Sequence, residues 1–433
     1  MKIAVIGTGY VGLVTAAGLA EFGHAVIGTD KDAAKIDLIS RGISPIYEPG
    51  LEDLLKRNLA GGNLSFSTDV EATIREAGVI FVCVGTPQDE AGRADMSQIE
   101  GVARTIARNL NGYKVVVEKS TVPVKTSEWI KRVISLYRRG DTAFDVASNP
   151  EFLREGSAVP DFLEPDRIII GVEGDRARDI LVKLYERFRD RVLVTSIDTA
   201  ELIKHASNSF LALKISYINM IADLCERTDA DVEQVAQGMG LDPRIGRQFL
   251  KAGLGYGGSC FPKDVRALTK IAEDLGVDCG LLRETDKVND ARTGLFLDKI
   301  KKALWILKGK KIALLGLAFK PETDDIREAS SIRIVRELER EGARLRLYDP
   351  KAAANMKEIF PPSASIVYAH DPYEAAEEAN ALLVVTEWEE FRSLDLARVR
   401  AIMANPIIID GRNMFDPAEV RGLGFEYTSV GRR

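Results

Sequence analysis

The first thirty residues constrain the fold of this chain more than any other stretch. Lys2–Ile6 is a short apolar run that leads into Gly7-Thr8-Gly9-Tyr10-Val11-Gly12 and an Ala/Leu-rich helical segment to about Phe22. A second apolar run, Ala25–Thr29, ends at Asp30. The glycines Gly7, Gly9 and Gly12 permit a tight turn and let a pyrophosphate approach the N-terminus of a helix. The stretch therefore predicts a dinucleotide-binding α/β domain, the alternative being a glycine turn that serves only helix–strand packing.

Asp30 bears on which dinucleotide binds. It follows the glycine turn at about the 20-residue spacing where a carboxylate bonds the adenosine ribose hydroxyls. A carboxylate there repels a 2′-phosphate, so we expect NAD rather than NADP, although the neighbouring Lys31 is a cation.

More apolar runs follow at α/β spacing, with amphipathic helical segments between them. They cover residues 64–66, 79–84, 114–118 and 143–147. This order predicts a parallel, doubly wound sheet with ligands at the carboxyl ends of its strands. Polar loops follow three of these ends, at 83–87, 119–123 and 148–156. Pro123 can start the next helix, so Thr121 is either a cap residue or a catalytic group, and Glu151 and Glu155 are either site carboxylates or solvated ones.

The pattern changes to all helix from about residue 196. A long helix is expected from Thr199 to about Glu226, capped by Asp198 with Glu201 three residues on. Lys204 and Asn208 share one face of it, but Lys204 is equally readable as a surface lysine paired with Glu201. His205 is expected to be structural. Further helices are predicted at 231–239, 244–252, 264–275 and 281–305, and the apolar stripe of the long helix, which needs a partner, predicts a homodimer or higher homo-oligomer.

Residues 253–264, here named the cysteine loop, fit neither a helix nor a strand. Gly253, Gly255, Gly257 and Gly258 would let backbone come close to a ligand. Cys260 stands just before a helix start at residues 262–264 and beside Lys263, and both features favour thiolate. Cys260 is therefore a candidate nucleophile; the alternative is a small buried hydrophobe, which suits Cys83, Cys225 and Cys279.

The last third of the chain repeats the strand–loop–helix–strand–acid order of the N-terminus. An apolar strand near 312–317, a helix at about 330–341 and a strand at 344–348 end in Asp349, with further strands at 382–385 and 406–409. Gly316 is the one glycine of the fingerprint retained there, so a second dinucleotide is not expected. The cations Lys320, Arg327 and Arg412 follow strand ends and either suit a phosphorylated ligand or are ordinary solvated loop residues.

Together these patterns predict two Rossmann-like doubly wound α/β domains joined by a helical domain with a long spine helix. The expected boundaries are 1–195, 196–305 and 306–433. A net charge of −6 with no basic block argues against a nucleic-acid partner. Apolar runs of about six to eight residues are far short of a membrane span, and Lys2–Ile6 reads as a strand rather than a signal peptide. The four scattered cysteines form no metal or disulfide framework, so a cytoplasmic setting is expected.

These stretches resemble the nucleotide-sugar dehydrogenase family, and within it the UDP-glucose 6-dehydrogenases, over essentially the full chain. The most specific is the run Gly-Gly-Ser-Cys-Phe-Pro-Lys-Asp at 257–264. The resemblance implies oxidation of the 6-hydroxyl of UDP-glucose to the carboxylate of UDP-glucuronate, for polysaccharide biosynthesis, with two NAD⁺ and no metal. An aldehyde cannot lose a second hydride until a nucleophile adds to it, which gives a thiol its place in such chemistry.

The resemblance also implies a role for each matching residue. Cys260 would form a thiohemiacetal and then a thioester, and Lys204, assisted by Asn208, would stabilise the oxyanions. Asp264 and Thr121 would position a water, and Glu151 would act as acid and base in hydrolysis. The implied cofactor contacts are Tyr10, Val11, Asp30, Lys35, Thr86, Thr121, Glu155, Lys263 and Arg327. The implied substrate contacts, besides Glu151, Lys204, Asn208 and Cys260, are Phe152, Leu153, Glu155, Arg244 (from a partner subunit), Phe249, Leu250, Lys251, Gly255, Tyr256, Gly257, Phe319, Lys320 and Arg412.

Two rivals stay open from the sequence. The same chemistry could act on GDP-mannose or UDP-N-acetylmannosamine, because base and sugar preference depend on pocket shape. A 3-hydroxyacid-type dehydrogenase also joins a Rossmann unit to long helices, but its two-electron chemistry needs no thiol. His205 departs from the tyrosine usual in the family, next to Lys204.

Overall fold

A computed structural model describes residues 1–87 and 94–432. These residues divide into two compact units, Met1–Ser207 with Lys270–Gly276, and Asn208–Thr269 with Val277–Arg433. The three-domain division expected from the sequence stays a prediction.

The first unit contains an eight-stranded sheet in the order β3-β2-β1-β4-β5-β6-β7-β8. Its strands are β1 (Lys2–Ile6), β2 (Ala25–Thr29), β3 (Leu64–Ser67), β4 (Val79–Val82), β5 (Lys114–Glu118), β6 (Phe144–Ser148), β7 (Ile168–Gly171) and β8 (Val192–Thr195). The neighbours from β3 through β6 pair in parallel, as predicted. The sequence did not predict β7 and β8, and β7 runs antiparallel to β6. Strands β4 and β5 are buried along their whole length, as expected where helices cover both faces of a sheet.

Eight α-helices and one 3₁₀-helix of this unit surround the sheet or connect its strands within the described residues. They are α1 (Tyr10–Glu21), α2 (Ala33–Ser40), α3 (Leu51–Ala60), α4 (Val70–Glu76), α5 (Ser97–Arg108), α6 (Thr126–Tyr137), α7 (Ala158–Leu163), α8 (Asp175–Leu184) and the 3₁₀-helix Glu186–Arg191. The long helix α9 (Ile197–Thr228) begins in this unit.

The second unit joins a helical part to a six-stranded parallel sheet in the order β11-β10-β9-β12-β13-β14. Its strands are β9 (Lys311–Leu315), β10 (Arg344–Tyr348), β11 (Ile366–Tyr368), β12 (Ala381–Val384), β13 (Ile407–Asp410) and β14 (Glu426–Thr428). The helices that follow α9 are α10 (Val232–Gly240), α11 (Phe261–Asp274), α12 (Gly280–Leu304), α13 (Ser330–Arg340), α14 (Ala353–Ile359), α15 (Pro372–Ala376), α16 (Glu389–Arg392), α17 (Leu396–Ile402) and α18 (Pro417–Gly422). The predicted second Rossmann-like sheet is confirmed, with β11 and β14 added at its edges.

Three local predictions were wrong. Residues 244–252 form turns instead of a helix, because Gly246 and Phe249 adopt left-handed backbone angles (φ +66° and +64°) that interrupt it. Helix α6 begins at Thr126 and not at Pro123, so Thr121 does not cap it. Helix α9 begins at Ile197, which places Asp198 inside it, and Ser196 accepts the capping bond from the Thr199 amide instead.

Within the described residues, every helix is too short or too polar to span a lipid bilayer.

Candidate active site

In the glycine turn after β1, backbone segments lie too close together to leave room for side chains at Gly7 and Gly12. Gly7 has φ of +95°, and a Cβ there would lie 2.7 Å from the carbonyl oxygen of Cys83. A Cβ on Gly12 would lie 1.9 Å from the carbonyl oxygen of Gly7, whereas Gly9 faces open space. Helix α1 begins at Tyr10, so Val11 lies in its first turn, where the amides are free to meet an anion. This cradle, too tight for any side chain at Gly7 or Gly12, fits the pyrophosphate of a dinucleotide.

Asp30 lies beside this turn as a strongly stabilised carboxylate. Its Oδ2 accepts hydrogen bonds from the Thr8 amide (3.0 Å), the Thr8 hydroxyl (2.9 Å) and the Lys35 ammonium (3.0 Å). Burial raises the pKa of Asp30, but these bonds, with one from the Asp32 amide, outweigh it and bring the pKa to about 2. Two predicted cofactor residues, Asp30 and Lys35, are thus in contact. A permanently charged carboxylate suits ribose hydroxyls and excludes a 2′-phosphate.

The loops after β4 and β5 are bonded to each other. The Thr86 hydroxyl donates to the carbonyl oxygen of Thr121 at 2.9 Å, and the Ser120 hydroxyl donates to that of Val84 at 2.8 Å. The structure therefore brings together Thr86 and Thr121, two residues predicted to contact the cofactor, at the carboxyl ends of adjacent strands.

Lys204 and Glu151 form a buried ion pair. Their Nζ and Oε1 atoms are 2.8 Å apart, and their side chains are only 5% and 6% exposed. The other oxygen of Glu151 accepts a bond from the Leu153 amide at 2.7 Å. The alternative of a surface lysine paired with Glu201 is wrong: Glu201 accepts instead from the amides of Lys125 and Ser127 at the start of α6.

Phe152 lies between cations. The Arg167 guanidinium carbon is 3.9 Å from the centroid of its ring and the Lys204 Nζ is 5.4 Å from it. Both distances fall within the range of cation–π attraction. Arg167 was not singled out from the sequence, because its contact with Phe152 depends on the tertiary fold.

A second buried lysine was also missed. Lys119 donates to the Asn149 side-chain oxygen at 3.1 Å, and the Tyr185 hydroxyl donates to the same atom at 2.7 Å. Burial lowers the pKa of Lys119. The network fixes Asn149, which begins the loop that carries Glu151, Phe152, Leu153 and Glu155. A polar residue directly after a buried strand was the one signal in the sequence that pointed to Lys119.

In the second unit, Cys260 stands at the N-terminus of α11, as predicted. Its carbonyl oxygen accepts the Asp264 amide at 2.9 Å, which closes the first turn of the helix. Its sulfur is 3.5 Å from the Ser259 hydroxyl and its side chain is half-buried. A thiol at a helix N-terminus is placed for thiolate formation by the helix dipole.

Asp264 is fully buried and bridges two predicted site residues. It accepts the Asn208 amide group at 2.6 Å and the Lys263 ammonium at 2.7 Å. Three groups assigned from the sequence thus form one cluster at the N-terminal turn of α11.

The cysteine loop is fixed by contacts to its main chain. The Gly258 amide donates to the carbonyl oxygen of Arg327 at 2.9 Å. Asn289, which the sequence did not point to, both accepts from the Tyr256 amide (2.7 Å) and donates to the Tyr256 carbonyl (3.0 Å). A Cβ on Gly257 would lie 2.4 Å from the carbonyl oxygen of Glu328.

Arg412 contacts two more predicted residues, Gly255 and Phe319, and a third, Lys320, lies near the Phe319 ring. Its guanidinium donates to the carbonyl oxygens of Gly255 at 3.4 Å and Phe319 at 3.2 Å. The Lys320 Nζ lies 5.6 Å from the centroid of the Phe319 ring. Arg412, Phe319 and the cysteine loop are therefore neighbours in this unit.

Other predicted residues lie apart from these clusters or reach them only by their main chain. The Arg244 side chain is 87% exposed and forms an ion pair with Asp242. The exposed Arg327 side chain forms an ion pair with Asp325. Leu250 has its side chain in a core cluster. Lys251 is exposed, and the Phe249 ring lies 6.1 Å from that of Phe261. The His205 ring bonds the carbonyl oxygen of Val122, in keeping with its expected structural role.

No group of three or more His, Cys, Asp or Glu side chains is placed to hold a metal ion in the part of the chain that the structure describes.

A glycine cradle beside the Asp30 carboxylate is typical of an NAD-dependent dehydrogenase. The chain belongs to the UDP-glucose/GDP-mannose dehydrogenase family. The family's NAD binding domain matches residues 1–189, its central domain matches 198–291 and its UDP binding domain matches 313–417. The resemblance found in the sequence and NAD as the cofactor are thereby confirmed.

Two bacterial relatives match this chain over its full length. The chain is 47% identical over 441 residues to a UDP-glucose 6-dehydrogenase of Rhizobium meliloti (strain 1021), covering 100% of both proteins. It is 44% identical over 431 residues to the UDP-glucose 6-dehydrogenase TuaD of Bacillus subtilis (strain 168), covering 100% of this chain and 93% of that protein.

Solved structures agree with these relatives. A UDP-glucose dehydrogenase from the archaeon Pyrobaculum islandicum superposes with a TM-score of 0.93 at 37% identity, covering 100% of this chain and 98% of that one. A UDP-D-ManNAc dehydrogenase from Pyrococcus horikoshii gives 0.87 at 30% identity, covering 100% and 99%.

Proposed function

We propose that this chain oxidises UDP-glucose to UDP-glucuronate, with two NAD⁺ consumed per sugar. The observation that carries the proposal is Cys260 at the N-terminus of α11, in a glycine loop fixed through its main chain. A single alcohol oxidation needs no thiol, whereas oxidation through the aldehyde to the acid needs a nucleophile that adds to the aldehyde, a role that a thiolate can fill. The choice of UDP-glucose as the substrate is supported by relatives that are named UDP-glucose 6-dehydrogenase. They are 40–47% identical to this chain over its whole length.

The proposed reaction has three steps: oxidation of the alcohol, oxidation of the aldehyde to a thioester, and hydrolysis of the thioester. When bound, NAD⁺ supplies the hydride acceptor for both oxidations. In the first, C6 of the sugar loses a hydride and its hydroxyl a proton, and Lys204 stabilises the alkoxide. The Cys260 thiolate then adds to the aldehyde carbon, and the thiohemiacetal loses a second hydride and a proton to give a thioester. Water finally displaces the sulfur, which releases the carboxylate and restores the thiolate.

The surroundings of each group support its role. Glu151 is the buried ion-pair partner of Lys204 and is the proposed acid and base for hydrolysis. Asp264, bound by Asn208 and Lys263, is the proposed partner of the attacking water, with Thr121. Arg412 and Lys320 lie within the part of the chain that matches a UDP binding domain. Their positive charges suit the diphosphate of the substrate.

Oxidation of another nucleotide sugar by the same chemistry is the second candidate. It is favoured by the likeness to the UDP-D-ManNAc dehydrogenase of Pyrococcus horikoshii. Identity to that protein is 30%, against 47% to a UDP-glucose 6-dehydrogenase, so UDP-glucose is preferred. A 3-hydroxyacid-type dehydrogenase is disfavoured because it has no use for the thiol.

We further propose that the protein acts in the cytoplasm as a homodimer or higher homo-oligomer, with Arg244 contacting the partner's substrate. Four cysteines that form no disulfide with one another suit a reducing compartment. Arg244 projects 87% exposed, as a residue acting on another subunit would.

The stoichiometry of NADH tests the proposed reaction. UDP-glucose and NAD⁺ are supplied to the purified protein, and NADH is counted against sugar consumed while the product is identified by mass spectrometry. About two NADH per sugar with UDP-glucuronate formed is expected; one NADH per sugar would rule out the thioester route. UDP-N-acetylmannosamine and GDP-mannose are assayed in parallel, and a higher kcat/KM on either would transfer the proposal to that sugar.

Cys260→Ala tests the nucleophile. Acid formation is expected to fall by about 10³-fold or more, since losing a covalent nucleophile removes the second oxidation. Cys279→Ala is the matched control, because Cys279 is also a half-buried cysteine at the N-terminus of a helix, α12. A Cys260→Ala enzyme that makes the acid at a rate comparable to wild type would end the nucleophile assignment.

A further inference from the structure

A buried carboxylate links the glycine turn to the loop that carries Glu151. Glu48 lies in the segment before α3 and is only 5% exposed. Its own carbonyl oxygen accepts the Leu51 amide at 3.2 Å, which anchors the segment to the start of α3. A buried charge is expensive unless donors surround it, and the donors that Glu48 has come from two separate parts of the chain.

The first donor is Tyr10, the residue that begins α1. Its hydroxyl donates to Glu48 Oε2. Burial and the adjacent Glu48 carboxylate raise the pKa of Tyr10, so the hydroxyl keeps its proton and stays a donor. Tyr10 lies between Gly9 and Val11, within the turn that fits a dinucleotide pyrophosphate. Any movement of that turn on coenzyme binding therefore acts on Glu48.

The other donors are amides at the end of loop 149–156 and the start of α7. The Gly156 amide donates to Glu48 Oε2 at 2.7 Å and the Ala158 amide donates to Oε1 at 2.8 Å. The Gly156 amide also lies 3.2 Å from the Tyr10 hydroxyl. Gly156 has φ of +83°, so this turn is one that a side chain would strain.

The Glu48 carboxylate thus accepts three hydrogen bonds, from the Tyr10 hydroxyl and from the amides of Gly156 and Ala158. Tyr10 and Leu153 also pack against the same apolar core, so the two segments share packing as well as hydrogen bonds. Phe152, Leu153 and Glu155, which the family resemblance implies contact the substrate, lie on the loop that ends at Gly156.

We propose that Glu48 is a positioning residue that couples coenzyme binding at the glycine turn to the order of loop 149–156, so that NAD and the nucleotide sugar raise each other's affinity. Coupling through a shared element is reciprocal, because each ligand reduces the disorder that the other must remove. The inference rests on the proposed function for its second ligand, the UDP-sugar. A purely structural carboxylate would affect stability and leave the coupling unchanged.

Two variants separate coupling from stability. Glu48→Gln keeps the shape but turns one acceptor into a donor that faces the Gly156 or the Ala158 amide. Tyr10→Phe removes the hydroxyl alone and decides the question if Glu48→Gln does not fold. Glu52→Gln is the matched control, since Glu52 lies in α3, half-exposed, and bonds Ser44 and Lys56 on the surface.

The first measurement is the affinity for UDP-glucose with and without saturating NADH, a pair that does not react. We expect wild type and Glu52→Gln to bind UDP-glucose at least about fivefold more tightly with NADH present, the lower end of typical coupling. The gain should fall below about twofold in Glu48→Gln and Tyr10→Phe. A wild type without coupling, or variants that keep the wild-type factor, would overturn the proposal.

The second measurement needs no sugar. Hydrogen–deuterium exchange of residues 151–158 is followed with and without NAD⁺. Slower exchange on NAD⁺ binding in wild type, lost in the two variants, supports the coupling, and unchanged exchange in wild type contradicts it. If UDP-glucose does not bind the wild type, the proposed function fails while this experiment still decides the role of Glu48.

Discussion

At the scale of single residues, the Lys204–Glu151 pair serves the fold and the reaction in ways that can be separated. Both side chains are almost fully buried and 2.8 Å apart. Removing one partner leaves the other charge uncompensated, which typically costs about 3–5 kcal/mol, whereas replacing both by apolar groups is often nearly neutral. We therefore expect Lys204→Met to lower the free energy of unfolding by about that amount and the double variant Lys204→Met/Glu151→Leu to recover most of it. Urea unfolding measures the stability, and NADH production is expected to be lost in both.

An exposed pair in the same unit provides the comparison. Lys131 and Glu173 are also in contact, but their side chains are 45% and 56% exposed. Lys131→Met should change the stability by no more than about 1 kcal/mol. A double variant at Lys204 and Glu151 as unstable as Lys204→Met alone would show that packing, and not charge compensation, dominates at this site.

Which residues the sequence could identify depended on how far apart the partners lie in the chain. The glycine turn and Asp30 belong to one continuous stretch, so their arrangement was predictable. Lys204 and Glu151 are 53 residues apart, and helical periodicity alone could not choose between Glu151 and the nearer Glu201. Asn289 is 33 residues from Tyr256 and carries no motif of its own, so it could be found only in the structure.

At the scale of elements, burial alone did not make a strand predictable, since β7 is buried along its whole length and was missed. Helix ends were not predictable where their partners are remote in the chain. Strand β4 is apolar throughout and β5 carries three consecutive valines, whereas no residue of β8 is fully buried and β11 and β14 have three residues each. The start of α6 was misplaced because the carboxylate that accepts its first amides, Glu201, belongs to α9, 74 residues from Ser127. Capping rules consider only residues near the helix end in sequence, so they do not identify such a partner.

Asn289 on α12 allows a prediction about how the cysteine loop is held. Its amide group satisfies both the N–H and the carbonyl of Tyr256, next to Gly255, whose φ is +85°. Asn289→Ala should leave the fold intact and lower kcat by about 10- to 100-fold, because a shift of about 1 Å in a reacting group costs that much. Asn289→Asp keeps the acceptor and loses the donor, so an intermediate kcat is expected.

Steady-state kinetics with UDP-glucose and NAD⁺ measures the effect, with thermal unfolding as the check on folding. Lys287→Ala serves as the control, because Lys287 lies two residues away on α12 and its side chain is 75% exposed. Full kcat in Asn289→Ala would mean that Gly258, Arg412 and the remaining contacts hold the loop without the amide clamp.

At the scale of the whole molecule, helix α9 presents an apolar stripe that this single chain leaves uncovered. Phe210, Tyr217, Met220 and Leu224 are 60%, 43%, 43% and 52% exposed and follow one another at intervals of seven, three and four residues. Such spacing marks one helical face, and exposed apolar surface of this kind is typical of a protein interface. The stripe supports the homodimer expected from the sequence.

The dimer prediction can be tested by placing a charge in this stripe. Wild type is expected to sediment at roughly twice the chain mass of 47.6 kDa, or a higher multiple. Phe210→Asp should shift it toward the monomer, because a carboxylate buried at an interface without a partner is strongly unfavourable. Leu423→Asp is the control, since Leu423 is an exposed apolar residue (40%) outside the stripe, after α18. A monomeric wild type, or an unchanged mass in Phe210→Asp, would refute α9 as the interface. If Arg244 acts on the partner's substrate, the monomeric variant should also lose activity in proportion to the dimer it loses.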